Sequence, residues 1–213
     1  DSSTGAYKFV ADDAAIEALE AGATPSDVFN VTATADGATS DAQTITIDLT
    51  GDYDTPALSA TLTSTSYTDT AADDTFGNVT GSLSISDRDS GDSATYSISS
   101  QSSGSYTVGS NSYDRMASGS YGTLYLDSTS GDYEFVADDA AIEALEAGAT
   151  PSESFTLTVT DGGSETDSVT FTVNLTGAED KPVITAVTGS YTDTAGNDTF
   201  GDISGTLAVS TVD

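Results

Sequence analysis

Apolar and polar residues alternate with a period of two along most of this chain, which is typical of β-strands that bury one face. Gly, Asp, Ser and Asn fill the gaps between these stretches at the spacing of a β-sandwich. We therefore predict an all-β fold of tandem sandwich domains. The stretches that we interpret as strands are 81–86, 94–99, 122–126, 132–136, 155–160 and 169–175.

One segment breaks this alternation and predicts a short helix in each repeat. Residues 138–148 are rich in Ala and Glu, with Ile142 and Leu145 three positions apart on one face. An Asp at the start can cap the helix, and Gly148 can close its C-terminus. We interpret the acidic outer face of this helix as plain solvated surface.

The chain repeats itself over a distance of whole domains. Residues 9–26 return letter for letter at 135–152, which is 126 positions later. Residues 66–86 return in modified form at 190–210, which is 124 positions later. Such a period is too long for one unit of a solenoid, so each copy is expected to be a domain of a tandem array.

Two proline-containing junctions, which end at Pro56 and Pro182, mark the domain limits that we predict. In this frame the chain carries one complete repeat with an incomplete repeat on each side. The incomplete parts can pair with each other between neighbouring molecules. The domains are 1–56, the C-terminal part of a preceding repeat; 57–181, a complete β-sandwich repeat; and 182–213, the N-terminal part of the following repeat.

A permuted frame is the alternative, with a folded unit that starts at Asp1 and ends near Leu126. This frame would separate residues 121–126 from residues 133–136. The two stretches look like the arms of one hairpin, joined by Asp-Ser-Thr-Ser-Gly. We therefore prefer the first frame.

The charge of the chain excludes several classes of partner. Thirty-five acidic residues stand against four basic ones, and the net charge of −31 repels nucleic acid and anionic membrane surfaces. Only 18% of the residues are charged and 36% are apolar, which argues against a disordered acidic tail. No apolar run approaches the roughly 20 residues of a membrane span, so we expect no direct membrane insertion.

The absence of cysteine and histidine excludes much of the usual chemistry of sites. Disulfides, Ser–His–Asp and Cys–His arrangements and the common zinc and haem sites are not available. Paired acids can hydrolyse a glycoside at a separation of about 5–10 Å. Nothing in the sequence marks a substrate cleft, however, and a catalytic site duplicated in every repeat would be unusual. We expect that the protein is not an enzyme.

The candidate chemistry lies in carboxylates at the predicted strand ends. Strand ends gather at the two poles of a sandwich, where two like charges 4 Å apart cost about 4 kcal/mol at an effective dielectric near 20. Calcium removes that cost, since it takes six to eight oxygen ligands. Asp is also a common turn former, so the spacing by itself leaves both interpretations open. The acids in question are Asp52, Asp54, Asp87, Asp89, Asp161, Glu179 and Asp180.

Four stretches of the chain, taken in order, resemble a known family. Residues 81–96, 121–127, 154–162 and 173–182 are similar to a VCBS repeat, a cadherin-like domain found in long arrays in large bacterial surface adhesins of the RTX type. The pattern Asp-x-Asp-x-Gly is matched by Asp87, Asp89 and Gly91, and Asp-x-Gly by Asp161 and Gly163. An acidic linker precedes each junction proline. The resemblance covers 57–181 and both flanking parts.

This resemblance implies Ca²⁺ at the junctions between domains. Asp69 and Asp193 stand where the family often has an acid in its first strand. Thr211 replaces the counterpart of Asp87 in the third copy and Lys181 enters the second linker, which implies weaker binding there. The implied ligands are Asp52, Asp54, Asp87, Asp89 and Asp161 at the first junction, and Glu179, Asp180 and Asp213 at the second.

The function that the resemblance implies is structural. The repeat would extend a secreted, calcium-dependent bacterial cell-surface adhesin, become rigid when Ca²⁺ binds at the junctions, and project a distal module in adhesion or biofilm formation. Its partners would be adjacent repeats of the same chain, with the surface ligand bound elsewhere. Alternatively, the repeat is itself a glycan- or surface-binding module, because Thr-rich stretches such as 61–65 and 156–160 could face sugar or ice. Thr on a wet strand face is the ordinary interpretation of the same pattern.

Overall fold

The computed structural model describes residues 3–89 and 93–210, and within these ranges strands predominate over two five-residue helices. The all-β prediction is confirmed. The first part of the chain contains α1 (Asp13–Glu17), β1 (Ser26–Val31), β2 (Thr34–Ala35), β3 (Ala38–Thr39) and β4 (Gln43–Asp48).

Among the described residues, the central part carries ten strands and one helix, and the last part carries two short strands. The central elements are β5 (Ala57–Ala60), β6 (Ser64–Thr68), β7 (Val79–Ser86), β8 (Thr95–Ile98), β9 (Ser102–Val108), β10 (Asn111–Ser118), β11 (Gly122–Leu126), β12 (Asp132–Ala137), α2 (Asp139–Glu143), β13 (Ser152–Thr160) and β14 (Thr166–Thr176). The last two are β15 (Val183–Ile184) and β16 (Val209–Ser210).

The central strands form the two sheets of a β-sandwich. The six-stranded sheet has the order β5-β7-β12-β11-β10-β9, and the four-stranded sheet has the order β6-β14-β13-β8. All pairs are antiparallel except β6 with β14, which is parallel. Consequently β6 and β14 end at one pole of the sandwich, and β13, which runs against β14, ends at the opposite pole.

The core lies between the sheets and follows directly from the alternating pattern. Inward-facing residues of both sheets, among them Phe135 and Phe171 with ring centroids 6.0 Å apart, are fully buried. Each such side chain contributes about 1.5–3 kcal/mol relative to an exposed one. Their neighbours along the strands are mostly Ser and Thr, which face outward.

Helix α2 confirms one part of the helix prediction and corrects two others. Asp138 caps it by accepting a hydrogen bond from Ala141 N, and Ile142 and Leu145 are buried as predicted. The helix ends well before Gly148, whose N–H instead donates to the Gly177 carbonyl. The prediction of a solvated acidic face is wrong for Glu143, which is only 3% exposed.

The predicted hairpin of β11 and β12 is confirmed, with Leu126 opposite Tyr133 across the turn 127–131. This is the hairpin on which our preference for the first frame depends, although the domain limits themselves stay a prediction. The hairpin of β9 and β10 was not predicted. Its sequence is rich in Ser and Gly, so too few apolar residues mark the alternation, and it turns at Gly109 with φ +59°.

The flanking parts contain smaller sheets. In residues 3–56, β1 pairs with β4 and β2 with β3, and in residues 182–210 β15 pairs with β16. Both parts leave large apolar side chains exposed. Among the helices in the described ranges, none has the length and apolar composition needed to cross a membrane.

Candidate metal centres at the two poles

The first acidic group surrounds the linker that enters the central sandwich. We call Glu17, Asp54, Asp87 and Asp89 the linker cluster. Asp87 and Asp89 follow the end of β7, Asp54 lies in the linker before β5, and Glu17 is the last residue of α1. The cluster therefore combines acids from both sides of the first junction.

Backbone contacts hold the linker cluster together. The Asp54 N–H donates to Asp89 Oδ2 over 2.7 Å, and the Asp89 N–H donates to Asp87 Oδ1 over 3.2 Å. Within the described part of the chain, Asp89 Oδ1 and Asp87 Oδ2 are buried and accept no hydrogen bond. The cluster thus presents two buried carboxylate oxygens for which the described residues supply no hydrogen-bond donor.

Asp161 lies at the same pole, since it follows β13. It is buried, and its Oδ1 accepts a hydrogen bond from the Glu165 N–H at 2.8 Å. Its Oδ2 is buried and accepts none from the described residues. The turn that carries Asp161 touches the linker, because a Cβ on Gly163 would lie only 2.4 Å from the ring of Tyr53.

The charges of the linker cluster interact with one another. Burial raises the pKa of Asp54, and the carboxylates of Glu17 and Asp89 raise it further, while Arg88 acts in the opposite direction. Arg88 Nη1 lies 2.5 Å from Glu17 Oε2, but both side chains are well exposed. Such a surface ion pair contributes at most about 1 kcal/mol. Arg88 therefore offsets the repulsion only in part.

The second acidic group lies at the opposite pole. We call Asp69, Asp74, Glu143 and Asp180 the helix cluster. Carboxylate oxygens of Asp69, Asp74 and Glu143 lie within 4.8 Å of one another, and Asp69 and Glu143 are each 3% exposed. Asp180, in the second linker, is also buried.

The fold positions each member of the helix cluster through the backbone. Asp69 follows β6, and its N–H donates to the Thr176 carbonyl at the end of β14. The Asp74 N–H donates to Glu143 Oε1 over 3.0 Å. Glu143 is held in place because its neighbour Ile142 is anchored in the core.

Two oxygens of the helix cluster lack a donor as well. Asp69 Oδ2 accepts a hydrogen bond from the Ala178 N–H at 3.0 Å. Asp69 Oδ1 and Glu143 Oε2 are buried and accept none within the described ranges. Burial raises the pKa of Glu143, and the charges of Asp69 and Asp180 raise it further, against the lowering effect of the Asp74 N–H.

The two clusters are related by the repeat. Glu17 is the counterpart of Glu143, and Asp54 is the counterpart of Asp180, each 126 positions apart. Each junction therefore receives a helix glutamate and a linker aspartate from the repeat before it. At the first junction, the strand-end acids Asp87 and Asp89 of the central repeat join them.

The structure brings together some of the predicted ligands and leaves others apart. Asp54, Asp87 and Asp89 meet at the first pole, and Asp69 and Asp180 meet at the second. Asp52, Glu179 and Asp193 are exposed. Asp213 lies outside the described residues. Metal binding by all of these residues stays a prediction.

Sequence analysis missed Glu17, Asp74 and Glu143. The signal was present, because the block 9–26 that contains Glu17 returns unchanged with Glu143. Asp74 likewise returns as Asp198. For Glu17 and Glu143 the reason is that a glutamate on a short, alanine-rich helix is normally solvated.

The possible metal ligands of both clusters are carboxylate oxygens. Several of these oxygens are buried and accept no hydrogen bond from the described residues. Oxygen-only sites of this kind suit hard divalent cations, and the flexible geometry of Ca²⁺ suits ligands drawn from separate loops. A cation would compensate the charges whose mutual repulsion raises the pKa values of Asp54 and Glu143. The residues present therefore fit calcium.

Comparisons with known proteins give structural similarity alone. No protein-family model matches the chain, and no curated protein matches it. Similar solved structures include PcdhgB3 EC1-4, at 13% identity and a TM-score of 0.40, over 76% of this chain and 34% of that one. Human CDH23 EC21-23 is 17% identical with a TM-score of 0.40, over 76% of this chain and 51% of that one.

A third similar structure contains extracellular cadherin domains 1–4 of protocadherin gamma B7, at 16% identity and a TM-score of 0.37, over 79% of this chain and 36% of that one. The chain thus spans about a third to a half of the length of these structures. The VCBS and RTX assignments stay predictions.

Proposed function

We propose that this chain is a length of extender repeats from a calcium-dependent bacterial surface adhesin of the RTX type, exported to the cell surface. The observation that carries the proposal is a set of buried carboxylate oxygens at the two poles where linkers meet the sandwich. Those of Asp69, Asp87, Asp89, Glu143 and Asp161 include one oxygen each that accepts no hydrogen bond from the described residues. A structural protein that needs no metal would have little reason to bury these groups, since an unsatisfied buried carboxylate is costly.

Each junction would hold Ca²⁺ with acids from both sides of its linker. When bound, the ion supplies the positive charge that the clusters lack and accepts their oxygens as ligands. Asp52 and Glu179, which are exposed, are the weaker candidates. The proposed ligands are Glu17, Asp54, Asp87, Asp89 and Asp161 at the first junction, and Asp69, Asp74, Glu143 and Asp180 at the second, with Asp213 of the following repeat. Asp193, the counterpart of Asp69, would bind metal at the far pole of that following repeat.

Rigidity follows from ligands shared across a linker. Without metal, the acids of neighbouring repeats repel one another and the linker moves. With metal, the groups on both sides hold one ion and the linker is fixed. The eleven residues of β14 span about 36 Å between the poles, so each repeat extends the array by a distance of that order. Adjacent repeats are the partners, and a distal module would bind the surface ligand.

A calorimetric titration tests the metal sites. The chain, freed of metal by chelator and dialysis, is titrated with Ca²⁺, and we expect saturable binding. Asp54→Asn should weaken one class of sites at least tenfold because it removes a central carboxylate of the linker cluster. The control Asp41→Asn changes an exposed acid before β4 that belongs to neither cluster, and it should bind as the wild type does. The absence of saturable binding would overturn the proposal.

Solution scattering tests the mechanical role. We expect the maximum dimension of the chain to be larger and better defined in millimolar Ca²⁺ than in excess chelator. Asp54→Asn should reduce this difference. If binding occurs but the dimension does not change, the chain binds calcium without acting as a calcium-stiffened extender.

The outer face of the four-stranded sheet favours a second candidate function, that of a binding module. Thr156 lies opposite Thr170, and Thr158 lies opposite Ser168, on a face without charged residues on β13 and β14. A neutral hydroxyl face on so acidic a chain suits a neutral glycan. Binding of the chain on a glycan array that is lost in Thr156→Asp would favour this function, and no binding to any glycan or to ice would remove it.

A further inference from the structure

The outer face of the six-stranded sheet contains a groove that the proposed metal sites do not use. Its volume is about 630 Å³, within the range of roughly 300–1,000 Å³ that is usual for sites of small molecules. All of the residues that line it belong to the complete repeat. Five of them carry aliphatic hydroxyl groups, namely Thr61, Thr80, Ser82, Ser110 and Ser112.

Strands β12 and β7 form the floor and one wall of this groove. Asp132 and Glu134 of β12 face away from the core, because Tyr133 between them is buried in it. Ser82 and Thr80 of β7 lie opposite these two residues in the antiparallel pair. The groove therefore collects the outward-facing polar residues of two neighbouring strands.

The hairpin of β9 and β10 forms the other wall. Strand β10 pairs with β11 only from Arg115 to Ser118, so residues 111–113 extend past the end of β11. The pairing of β9 with β10 is irregular between Tyr113 and Arg115, and such a bulge bends a strand. The bent hairpin brings Asn111 and Tyr113 into contact with β12.

Glu134 joins the two walls across the floor of the groove. Its carboxylate accepts hydrogen bonds from Asn78 Nδ2 over 2.7 Å, from Asn111 Nδ2 over 3.2 Å and from the Tyr113 hydroxyl over 2.8 Å. Burial acts to raise the pKa of Glu134, but these three hydrogen bonds outweigh burial and lower the pKa. The charged carboxylate thus fixes the walls before any ligand binds, which reduces the cost of binding.

The preceding copy of the repeat lacks both outward-facing acids of β12. Residues 1–26 differ from residues 127–152 at four positions, and two of these only exchange serine and threonine. The inward-facing tyrosine and phenylalanine of β12 are unchanged, so the core does not dictate the differences. The two differences that change charge are Ala6 for Asp132 and Lys8 for Glu134.

The following copy differs around the groove as well. Asn78 is replaced by Asp202, and segment 61–65 is two residues longer than its counterpart 187–189. The first residue of segment 61–65 lines the groove, and its hydroxyl accepts a hydrogen bond from the Ser82 N–H over 2.8 Å. Differences from both neighbouring copies thus meet at one surface, which indicates a role that belongs to this repeat and not to the shared fold.

The chemistry of the lining suits a ligand with many hydroxyl groups. Aliphatic hydroxyls both donate and accept hydrogen bonds, as the hydroxyls of a sugar do. Asp127 and Asp132 add carboxylates, which accept strong hydrogen bonds from hydroxyl groups and repel anions. Among the described residues that line the groove, none is basic. An acidic sugar would therefore find no counter-charge there.

We infer that the groove of the complete repeat binds a neutral saccharide. The hydroxyls of the two walls and the carboxylates of Asp127 and Asp132 bond the sugar hydroxyls. The groove lies on the other sheet from the hydroxyl face of β13 and β14, and its lining contains no member of the linker or helix cluster. The inference is therefore independent of the proposed metal sites. Since the preceding copy lacks the acids of β12, we expect one site per chain.

A glycan array followed by calorimetry tests the class of ligand. The full chain is applied in excess chelator, so that no sugar is held through a bound Ca²⁺, to an array of neutral, amine-bearing and acidic oligosaccharides. We expect neutral members to bind, and a calorimetric titration with the strongest of them to give one site per chain. Binding of amine-bearing or acidic members alone, or of no member, would overturn the inference.

Variants on the floor and on the far wall test the position of the site. Asp132→Ala introduces the residue of the preceding copy and should weaken binding about tenfold or more, because it removes a charged acceptor. Ser112→Glu should weaken binding similarly, because its longer side chain enters the groove from β10. Both residues are exposed, so the melting temperature should stay near that of the wild type. Asp41→Ala, which removes an exposed acid outside the groove, should bind as the wild type does.

A variant of the four-stranded sheet separates the two possible sugar-binding surfaces. Thr156→Asp should keep the wild-type affinity if the saccharide lies in the groove. Undiminished binding by both Asp132→Ala and Ser112→Glu, or loss of binding in Thr156→Asp alone, would refute the groove. The groove variants should also bind Ca²⁺ as the wild type does, so failure of the saccharide site and failure of the metal sites can be told apart.

Discussion

Individual carboxylates in this protein differ sharply in their surroundings although they are close in sequence. Glu143 is buried at the end of α2 beside other acids, while Glu146, three residues later, is exposed. Glu134 is also buried, yet it accepts hydrogen bonds from Asn78, Asn111 and Tyr113. The difference in donors decides which of these groups is a structural acceptor and which is a candidate ligand.

The raised pKa of Glu143 has a consequence for stability in the absence of metal. A folded-state pKa above the unfolded value of 4.5 means that the folded chain binds this proton more tightly. The stabilising contribution is complete below pH 4.5 and is lost as pH rises through the folded pKa. In chelator, we expect the wild type to lose this contribution as pH rises from 4.5 toward 7. The free energy of unfolding of Glu143→Gln should therefore increase relative to that of the wild type over this range.

Denaturant midpoints measured at several pH values give this comparison. The control Glu146→Gln, which removes an exposed acid from the same segment, should keep the wild-type pH dependence. Calcium should reverse the difference and make the wild type the more stable protein at pH 7. Parallel curves for Glu143→Gln and wild type would contradict the assignment of Glu143 to the helix cluster.

At the scale of strands and loops, single side-chain contacts hold neighbouring elements together. Glu134 on β12 joins Tyr113 and Asn111 on β10 across the outer face of the six-stranded sheet. Gly81 on β7 admits the ring of Tyr133 from β12, whose hydroxyl donates to the Leu62 carbonyl. The Glu134 contacts join β10 to β12, and the Tyr133 contacts join β12 to β7 and to the loop after β5.

Tyr113 reports on the first of these contacts. Burial and the hydrogen bond to Glu134 raise its pKa to about 12 from 10.0. Its contribution to stability is complete below pH 10 and is lost as pH rises toward 12. We expect Tyr113→Phe to lose about 1–2 kcal/mol of stability and to remove one late tyrosinate transition from an absorbance titration. Tyr125→Phe, on the same face, should leave both properties nearly unchanged.

Gly81→Ala tests the close packing of β7 on β12. The added methyl group meets the Tyr133 ring and should destabilise the fold by about 1–3 kcal/mol, as overpacking generally does. Gly77→Ala is the matched control, because no atom lies within 4 Å of its Cβ position. Chemical denaturation of both variants measures the difference. Equal stability of the two would show that Tyr133 can move aside at little cost.

At the scale of the whole molecule, the net charge of −31 opposes compact arrangements of neighbouring repeats. Monovalent salt screens exposed charges over about 8 Å at physiological strength, but it screens buried groups much less. Asp87 Oδ2, Asp89 Oδ1, Asp69 Oδ1 and Glu143 Oε2 are buried and accept no hydrogen bond from the described residues. They should therefore respond to a coordinating ion and only weakly to ionic strength.

We accordingly expect calcium and sodium chloride to have different effects on the intact chain. Calcium at 100 times its dissociation constant should add about 2.7 kcal/mol to the free energy of unfolding for each independent site. Sodium chloride at equal ionic strength should give a much smaller increase. Calorimetric melting in the two salts makes the comparison, and equal shifts would indicate general screening in place of specific sites.

Much of the architecture could be predicted because the alternating residues report burial directly. Phe155, Leu157 and Val159 are apolar at every second position, and each is buried in the sandwich. The hairpin of β11 and β12 was marked by its turn residues. Strand β9 was not, since its Ser and Gly residues carry no such alternation and its place depends on pairing with β10.

The sequence predicted the kind of candidate site, but only some of the residues that form it. Acids at strand ends, such as Asp89 and Asp161, followed from the position of the strands. Glu143 did not, because its burial depends on how α2 packs beside the end of β6. Nothing local distinguishes it from Glu146, which is exposed.

The sequence by itself determined the period of the repeat, the strand pattern and an oxygen-only, strongly acidic chemistry, because these depend on residue types and their spacing. Only the tertiary structure decided which acids share a pole and which carboxylate oxygens lack a donor. The reason is physical: a carboxylate becomes a strong candidate ligand only when packing removes both water and hydrogen-bond donors from it, and that depends on elements far apart in the chain.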